Sequence, residues 1–426
     1  MIDLISIFFG KLIIFLSNSL NLGSGSTWPG HVALRFNSNF VKRVLKKSNA
    51  KIIVVAGTNG KTTTSRLITS IIRENNKSFL QNKAGANLIN GLASAVIKGS
   101  SLTGRLNKDY VIFESDEYAL PQILEQITPD YLVCLNLFRD QLDRYGEIDS
   151  IAKKWHVSFE KLPSKTTLIL NADDPQIAYL SKNSKANSLY FGLVEKGDAK
   201  TSHGADSIYC PNCSDRLLYK TVYFSHLGDW ECGKCGYKRP KLDINKLPSY
   251  PLDGTYNRYN CLAAALFAKA ENISEQKIAK SFKNFTPAFG RQEKLSYKGK
   301  NVQIFLSKNP TSFNESMQTI KSLGGENFLI ILNNRIPDGL DVSWIWDINF
   351  EDILNNKSHI SVSGDRVYDM ALRLKYAGLF AHSNPDVKKL FDLAIEETED
   401  NETLYILPNY TAMLDIRKTI TGKKLL

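Results

Sequence analysis

The 426-residue chain, 43% of it apolar, is too long for one ordinary core, so we predict two or three domains of a folded, soluble protein. Its 54 lysines and arginines against 43 acidic residues give a net charge of +11, which suits nucleic acid, an anionic membrane or phosphate-rich small molecules, but the lysines are too scattered to choose among these. The six cysteines, four of them in two close pairs, form no small disulfide-stapled framework and favour a metal site in a reducing cytoplasm.

The first predicted element is an N-terminal helix within MIDLISIFFGKLIIFLSNSLNLGSGS. Its apolar positions recur at helical spacing: Leu4, Ile5, Phe8, Leu12 and Phe15. Asp3 and Lys11 interrupt the segment and no run of about 20 apolar residues exists, which argues against a signal peptide or a membrane-spanning anchor. We predict an amphipathic helix packed on the body of the protein. A helix on a membrane surface is the alternative, with Phe9, Ile13 and Ile14 widening its apolar side.

Nine short apolar runs follow, separated by longer helical patterns. They are KIIVVAG, DYVIFES, DYLVCLNL, TTLILNAD and SLYFGL, then VQIFLSKN, NFLIILNN, HISVSG and TLYILPN. Continuous apolar strands that alternate with helices indicate parallel sheets, so we predict an α/β fold with two Rossmann-like units. The predicted divisions are an N-terminal helix and lead-in at 1–45, a central domain at 46–295 with an insertion at about 200–242, and a C-terminal domain at 296–426.

The stretch GTNGKTT follows the first apolar strand and begins a helical pattern. Glycines let backbone NH groups turn toward phosphate oxygens, and the N-terminus of a helix adds favourable partial charge. Lys61 is expected to contact the outer phosphates of a nucleotide, and the Thr62 hydroxyl to help hold Mg²⁺. Only two residues separate Gly57 from Gly60, whereas the common phosphate-binding loop has four between its glycines.

Acidic and amide side chains follow the next two strands. VIFESDEY supplies Glu114, Asp116 and Glu117, and CLNLFRDQLDRYG supplies Asn136, Asp140, Gln141 and Asp143. Neighbouring parallel strands end at one edge of a sheet, and oxygen ligands suit Mg²⁺. Each acid alone is a weak signal, because solvated acids are common at strand ends, but their coincidence with the loop predicts a magnesium site.

Two CxxC pairs lie 18 residues apart in YCPNCSDRLLYKTVYFSHLGDWECGKCGYK. They consist of Cys210, Cys213, Cys232 and Cys235. Four thiolates at this spacing close a tetrahedral shell around Zn²⁺, so we predict a structural zinc ribbon inserted in the central domain. A nucleic-acid-binding ribbon is the competing interpretation. Cys134 and Cys261 lie in apolar sequence and are predicted to be core residues.

Five motifs of the first 295 residues resemble, in order and rough spacing, those of the Mur ligase superfamily: GTNGKTTT, NLFRDQLDRYGE, LNADDP, DGTYNRYNCLAA and FGRQEK. Members of that superfamily use ATP to join a carboxylate to an amine through an acyl phosphate. The resemblance implies ATP-binding residues at Gly57, Thr58, Asn59, Gly60, Lys61, Thr62, Thr63, Asn257 and Arg291. It implies that Thr62 and Glu114 hold Mg²⁺.

One motif departs from the superfamily pattern. Typical members have DHLD where this chain has DQLD, with Gln141 in the place of the histidine. They also carry a carbamylated lysine some residues after the following glycine, and the segment after Gly146 offers Lys153 and Lys154. The helix register decides whether either lysine faces the site. A carbamylated lysine and a second metal therefore stay open.

The C-terminal strings FLSKNPTSFNES, ILNNRIPDGLDVSWIWDINFE, VSGDRVYDMALRLKYAG and LYILPNYTAMLDIRK resemble the MurT family, as do the predicted zinc ribbon and GSGSTWPG. The resemblance implies amidation of the α-carboxyl of D-glutamate in the stem peptide of lipid II. It implies ammonia from a glutaminase subunit of the GatD type in a heteromeric complex, because this chain has no convincing Cys-His-acid set of its own. We expect the protein in the cytoplasm, either free or attached peripherally at the inner membrane face.

In that family an aspartate of the ligase subunit is thought to complete the partner's Cys-His pair. Asp338, Asp341 and Asp347 are the candidates, and we place Asp341 first because a glycine-bearing loop after an apolar strand projects a carboxylate outward. Asn309 and Pro310 resemble the HNP loop that related ligases place near nucleotide and substrate.

Two alternatives to this function remain at this point. One is a ligase of the Mur or folylpolyglutamate type that adds an amino acid. The other is a nucleic-acid-binding ATPase with a zinc ribbon, which Asp215, Asp229 and Glu231 weigh against, so no nucleic acid partner is expected.

Overall fold

The computed structural model describes residues 2–20, 26–82, 85–139, 148–195 and 207–422. Within these ranges the chain forms two six-stranded sheets, a two-stranded hairpin and the helices that cover them. The α/β class with two separate parallel-sheet units is therefore as predicted.

Three helices precede the first strand. They are α1 Ile2–Ser19, α2 Trp28–Phe36 and α3 Phe40–Lys46. The predicted helix is present in α1, but the predicted contact residues point away from the body: Leu4, Ile5, Phe8, Leu12 and Phe15 are all exposed, between 41% and 65%.

The opposite side of α1 faces the protein. Asp3, Ser6, Ile7 and Gly10 are buried there, and a Cβ on Gly10 would lie 2.8 Å from Ile97. The helix therefore packs on the body of the protein, against α2 and α5, as predicted. Its apolar stripe does not make that contact, because spacing identifies one face of a helix but not the side on which the rest of the protein lies. Among the described residues, no helix is both long and apolar enough to cross a bilayer.

The first sheet is parallel throughout, with strand order β2-β3-β1-β4-β5-β6. Its strands are β1 Lys51–Ala56, β2 Phe79–Gln81, β3 Tyr110–Ser115, β4 Tyr131–Cys134, β5 Thr167–Asn171 and β6 Asn187–Phe191. In the register, Ala56 pairs with Ser115 and with Cys134, so β1, β3 and β4 end at one edge. The polar residues that follow these three strands are thereby brought together.

Helices cover both faces of this sheet. They are α4 Lys61–Glu74, α5 Ile89–Gly99, α6 Leu120–Gln126, α7 Ile148–Phe159, α8 Pro175–Tyr179, α9 Thr255–Ala270 and α10 Glu275–Lys283. Ile53 and Val55 of β1 pack in the core formed with α4, α9 and α10, whereas Val54 and Ala56 pack in the core on the other face. Burial on both faces explains the continuous apolar run of this strand.

Between β6 and α9 the chain forms an antiparallel hairpin of β7 Leu217–Phe224 and β8 Leu227–Cys232. It carries the paired cysteines and is anchored to the first sheet. Trp230 is buried and its Nε1 donates to the Ala172 carbonyl at 3.1 Å, and Gly228 N donates to the Asp173 carbonyl at 3.0 Å.

The second sheet has the order β13-β12-β11-β14-β10-β9, and only β9 runs antiparallel to its neighbour. Its strands are β9 Arg291–Tyr297, β10 Lys300–Phe305, β11 Asn327–Ile331, β12 His359–Ser363, β13 His382–Ser383 and β14 Thr403–Pro408. Its helices are α11 Pro310–Ser322, the 3₁₀ helix Ser343–Asp347, α12 Phe350–Ile353, α13 Val367–Tyr376, α14 Val387–Glu397 and α15 Tyr410–Thr421. The predicted division at residue 295 falls inside β9.

Candidate functional site

The loop between β1 and α4 has the backbone shape that its glycines predict. Gly57 and Gly60 have φ of +137° and +90°, and a Cβ on Gly60 would lie 2.1 Å from Asn260 Oδ1. Asn136 holds the loop from the neighbouring strand end: its carbonyl accepts from Thr58 N and its Oδ1 from Asn59 N, both at 2.9 Å. The loop is thus fixed with the N-terminus of α4 open toward a ligand.

Lys61 lies at the start of α4 and folds back over the loop. Its Nζ lies 2.5 Å from the Gly57 carbonyl, 3.2 Å from the Thr58 carbonyl and 3.1 Å from Glu117 Oε2. Burial acts to raise the pKa of the Glu117 carboxyl, but the charges of Lys61 and Lys308 outweigh it and hold that pKa below its usual value. This partly buried ammonium, held by a carboxylate, is available to a phosphate that replaces the carboxylate.

Thr62 and Glu114, the predicted magnesium ligands, lie side by side. Thr62 Oγ1 donates to Glu114 Oε2 at 2.7 Å, and Gln81 Nε2 donates to the other carboxylate oxygen at 3.2 Å. Burial raises the pKa of the Glu114 carboxyl, and the Thr62 hydrogen bond and the Lys61 charge offset this only in part. A hydroxyl and a desolvated carboxylate in contact form a hard-oxygen donor set that fits Mg²⁺.

A cavity lies between the two sheet units beside this loop. Five of the predicted ATP-binding residues line it: Asn59, Gly60, Thr63, Asn257 and Arg291. The phosphate loop forms one end of the cavity, with Asn59 and Gly60 in its wall. The structure therefore gathers residues 59, 60, 63, 257 and 291 around one cavity.

Both sheet units contribute to the cavity, and a direct contact joins them. Asn309 caps α11 in a capping box with Ser312, and its Nδ2 lies 3.4 Å from Asn59 Oδ1 in the phosphate loop. Asn257 is held on α9 by its bond to the Asp253 carbonyl at 2.7 Å. Asn309 was predicted near the nucleotide, and the structure places it beside the loop while it also caps a helix.

Ten of the fifteen residues that line the cavity were not predicted, and three of them come from informative places in the chain. Phe224, Tyr256 and Glu315 line it together with the predicted residues. Phe224 comes from the cysteine hairpin, and nothing in its local sequence indicates a contact with a nucleotide site. Glu315 is buried, and burial raises the pKa of its carboxyl to about 8.

The four paired cysteines converge, as their spacing predicts. Their Sγ atoms all lie within 4.8 Å of one another, with 3.6 Å between Cys210 and Cys235 and 3.5 Å between Cys213 and Cys232. A tetrahedral zinc shell with Zn–S bonds of about 2.3 Å requires sulfurs about 3.8 Å apart, so this donor set fits Zn²⁺. Cys134 and Cys261 are fully buried core residues, as predicted.

The predicted residues of the DQLD motif, Asp140, Gln141 and Asp143, lie outside the described residues. Lys153 and Lys154 are both exposed on α7. The side chain of α7 that reaches the site is Trp155, which is buried and donates from Nε1 to the Glu117 carbonyl at 2.7 Å. Lys154 Nζ lies over the ring of Tyr118, 5.1 Å from its centroid.

The three candidate aspartates lie in or before the 3₁₀ helix and differ in exposure. Asp338 is buried, and its carboxylate accepts hydrogen bonds from the backbone NH and the hydroxyl of Thr411 at the start of α15. Asp341 and Asp347 are exposed. The Asp341 carboxylate accepts from Ser343 N at 2.7 Å and Ser343 Oγ at 2.9 Å, just before the 3₁₀ helix.

Large apolar side chains are exposed around these aspartates. We call them the C-terminal apolar surface: Ile336, Leu340, Trp346, Tyr368, Leu372, Tyr376 and Phe380. Tyr368, Leu372 and Tyr376 follow one another at four-residue spacing along α13, and the rings of Trp346 and Tyr376 are in edge contact at 5.5 Å. An exposed apolar area of this kind indicates an interaction surface.

Comparison with known proteins agrees with this geometry. The model of the Mur ligase middle domain matches residues 55–268, and that of the MurT ligase C-terminal domain matches residues 306–413. A pseudomurein peptide ligase type C from Methanothermus fervidus superposes with a TM-score of 0.68 at 21% identity, over 89% of this chain and 80% of that one. MurF ligase from Thermotoga maritima, solved in complex with ADP, superposes with a TM-score of 0.64 at 14% identity, over 90% and 82%.

The fold and the middle domain therefore define a Mur ligase. Among curated proteins, the subunit MurT of the glutamine-hydrolyzing lipid II isoglutaminyl synthase from Streptococcus pneumoniae is 35% identical over 428 residues, which covers 95% of this chain and 94% of that protein. With this identity over nearly the whole length and a matching C-terminal domain, the chain belongs to the MurT family.

Proposed function

We propose that this chain is the ATP-dependent ligase subunit that converts the α-carboxyl of D-glutamate in the lipid II stem peptide to the carboxamide, with ammonia from a glutaminase partner. The observation that carries the proposal is the arrangement of Lys61, Thr62 and Glu114 beside a cavity lined by residues of both sheet units. The proposed substrate and amide donor are taken from the name of the Streptococcus pneumoniae relative, a subunit of the glutamine-hydrolyzing lipid II isoglutaminyl synthase.

In the proposed reaction, ATP lies with its phosphates on the Gly57–Thr63 loop. Lys61 leaves Glu117 for the outer phosphates, and Thr62 and Glu114 hold Mg²⁺, which supplies charge neutralisation on those phosphates when bound. A carboxylate oxygen of the substrate attacks the γ-phosphorus, ADP leaves, and an acyl phosphate forms. The nitrogen of ammonia then attacks the acyl carbon, phosphate departs with that oxygen, and the nitrogen loses a proton.

Ammonia must reach the acyl phosphate unprotonated. At neutral pH free ammonia is mostly ammonium, which has no lone pair, so delivery inside a complex preserves the nucleophile. The C-terminal apolar surface is the proposed docking site for the glutaminase subunit. We place Asp341 first, and Asp347 next, as the carboxylate that orients the partner's histidine, because both are exposed beside that surface and Asp338 is buried against Thr411.

The four-cysteine hairpin is proposed to hold a structural Zn²⁺ in a zinc ribbon. Four thiolates close the coordination shell and leave no position for a substrate. Trp230 and Gly228 attach the hairpin to the first sheet, and Phe224 of the hairpin lines the cavity. Its proposed role is to fix that wall of the nucleotide site.

The proposed division of labour assigns residues 46–295 to nucleotide binding and residues 296–426 to completing the site and binding the partner. Phe305 and Glu315 of the second range line the cavity with Asn59 of the first, which supports a site shared by both. The proposed place of action is the cytoplasmic face of the membrane, where the stem peptide of a lipid-linked substrate is accessible.

The test is amidation of lipid II by the purified chain with ATP, with and without the co-expressed glutaminase, using glutamine or ammonium. We expect ammonium use by the chain alone and glutamine use only in the complex. Lys61→Ala should abolish both, whereas Lys280→Ala, which removes a surface lysine paired with Glu74, should abolish neither. Incorporation of an amino acid in place of ammonia, by the chain alone, would refute the proposal in favour of an amino-acid-adding ligase.

A second set of variants tests the shared triad. Asp341→Asn should remove glutamine use and spare ammonium use, while Asp352→Asn, an exposed aspartate on α12, should spare both. If Asp347→Asn alone gives the loss, Asp347 is the orienting residue. If neither variant separates the two activities, this part of the proposal is wrong.

A further inference from the structure

The helix α1 turns its apolar side outward, which is the reverse of a typical surface helix in a water-soluble protein. Between its residues 2 and 16, every exposed side chain is a large apolar one, and we call these the N-terminal apolar surface: Ile2, Leu4, Ile5, Phe8, Phe9, Leu12, Phe15 and Leu16, each at least 41% exposed. Its inward side carries Asp3, Ser6, Ile7 and Gly10. A helix normally turns its polar side to water, so this outward face is built for a non-aqueous neighbour.

Neighbouring elements extend this surface. Trp28 and Phe36, at the two ends of α2, are exposed to 71% and 63%, and α2 packs on α1. Leu102 is exposed to 66% in the loop at 101–105, where a Cβ on Gly104 would lie 2.9 Å from Leu4. Exposed tryptophan and phenylalanine beside aliphatic residues match the side chains enriched at membrane–water interfaces.

Basic side chains flank the surface, and within the described residues of α1, α2, α3 and the loop at 101–105 no acidic side chain is exposed. Arg43 Nε lies 3.1 Å and Lys47 Nζ 3.3 Å from Asp3, with the two basic side chains 52% and 62% exposed. Arg35, Lys42 and Lys46 are also exposed on α2 and α3. The first 50 residues contain six lysines and arginines, and their single acidic residue is Asp3, which is buried and already paired.

This charge pattern distinguishes the surface from the C-terminal apolar surface. Charged side chains of both signs border the C-terminal apolar surface, with Arg335 paired to Asp365 and Arg366 paired to Asp369. Such mixed charge is typical of a surface for a protein partner. A basic border without acids is complementary to anionic lipid head groups. Two copies of the same basic border repel each other, which disfavours a second copy of this chain as the occupant.

We infer that α1, with the flanking residues of α2 and α3, docks the chain on the surface of an anionic bilayer. The apolar side chains of α1 enter the boundary between head groups and acyl chains, and the lysines and arginines contact the head groups. The helix lies in the plane of the membrane and does not cross it. This docking goes beyond the proposed reaction, and it brings the chain to the surface from which a lipid-linked substrate projects.

The test is co-sedimentation of the full chain with vesicles of phosphatidylcholine alone and of phosphatidylcholine with phosphatidylglycerol. We expect binding to the anionic vesicles that weakens at high salt. Phe8→Ser/Phe15→Ser should lose most of that binding, and Lys42→Gln/Lys46→Gln should weaken it roughly fivefold for each charge removed. The control Leu323→Ser/Leu393→Ser, which removes two exposed leucines from the second sheet unit, should bind as the wild type does.

Circular dichroism and amidation of a substrate with a shortened, water-soluble prenyl chain accompany the binding assay. Phe8→Ser/Phe15→Ser should leave both unchanged, because these side chains contact neither the core nor the cavity. The inference is overturned if the wild type does not sediment with anionic vesicles or if the double variant sediments equally. It is also overturned if the double variant instead dissociates a dimer or abolishes capture of the glutaminase. Vesicle binding does not require amidation, so failure of the proposed reaction is distinguishable from failure of docking.

Discussion

Replacing Glu315 by glutamine should make the unliganded chain less sensitive to alkaline pH. Glu315 lines the nucleotide cavity, and within the described residues no hydrogen bond or ion pair reaches its carboxylate. Burial raises the pKa of this carboxyl from an ordinary value of 4.5 to about 8 in the folded state. The folded state therefore keeps a proton that the unfolded chain releases.

The sign and size of the effect follow from linkage. Because the pKa of Glu315 is raised in the folded state, the protonated carboxyl contributes to the free energy of unfolding. That contribution is fully present below pH 4.5 and is lost as the pH rises to about 8. Each pH unit in that window costs about 1.4 kcal/mol of the free energy of unfolding. Between pH 6 and pH 8 the loss is on the order of 2 kcal/mol, and above pH 8 it levels off.

The assay is urea unfolding of the wild type and Glu315→Gln at several pH values from 6 to 9. The free energy of unfolding of Glu315→Gln, minus that of the wild type, should increase as the pH rises. Glu326→Gln is the control, since hydrogen bonds from Lys321 and Ser358 outweigh burial and hold the pKa of Glu326 below its usual value. Its difference from the wild type should be constant over this range. Parallel curves for wild type and Glu315→Gln would refute the reasoning.

Three further outcomes are expected. Thr62→Val should lower kcat at least about tenfold and raise the Mg²⁺ concentration needed for activity, and Thr62→Ser should restore most of both, because the hydroxyl rather than the shape is required. Asp338→Asn should lower the free energy of unfolding by about 1–2 kcal/mol through loss of its bonds to Thr411, measured by urea unfolding, whereas Asp352→Asn should stay within about 0.5 kcal/mol of the wild type. Zinc chelation should weaken ATP binding, measured by calorimetry, by up to about tenfold, and Phe224→Ala should weaken it to the same extent. Added zinc should restore ATP binding to the chelated protein but not to the Phe224→Ala variant.

Sequence patterns predicted the elements whose signals are local. All nine apolar runs are strands of the two main sheets, and the glycines, the lysine and the threonine of the phosphate loop lie in one short stretch whose backbone needs positive φ. The contact of Thr62 with Glu114 follows from the register of β1 and β3, which parallel topology dictates. The four cysteines were predictable for the same reason.

Features that depend on distant packing were not predictable. Phe224 and Glu315 reach the cavity from a hairpin and a helix of another sheet unit, and neither has a local motif. The orientation of α1 was predicted wrongly, because its spacing is equally compatible with a core or a membrane as neighbour. Gly10 and Asp3 decide the orientation through Ile97 and Arg43, residues that only the fold brings near.

The most direct test of the proposed reaction follows one oxygen atom. Lipid II carrying a heavy-oxygen label in the α-carboxyl of D-glutamate is incubated with the chain, ATP and ammonium, and the released inorganic phosphate is examined by mass spectrometry. The account predicts one labelled oxygen in each phosphate released with each amide formed, because the acyl phosphate passes that oxygen to phosphorus. Amide formation with unlabelled phosphate, or ATP hydrolysis without amide formation, would contradict the proposed chemistry.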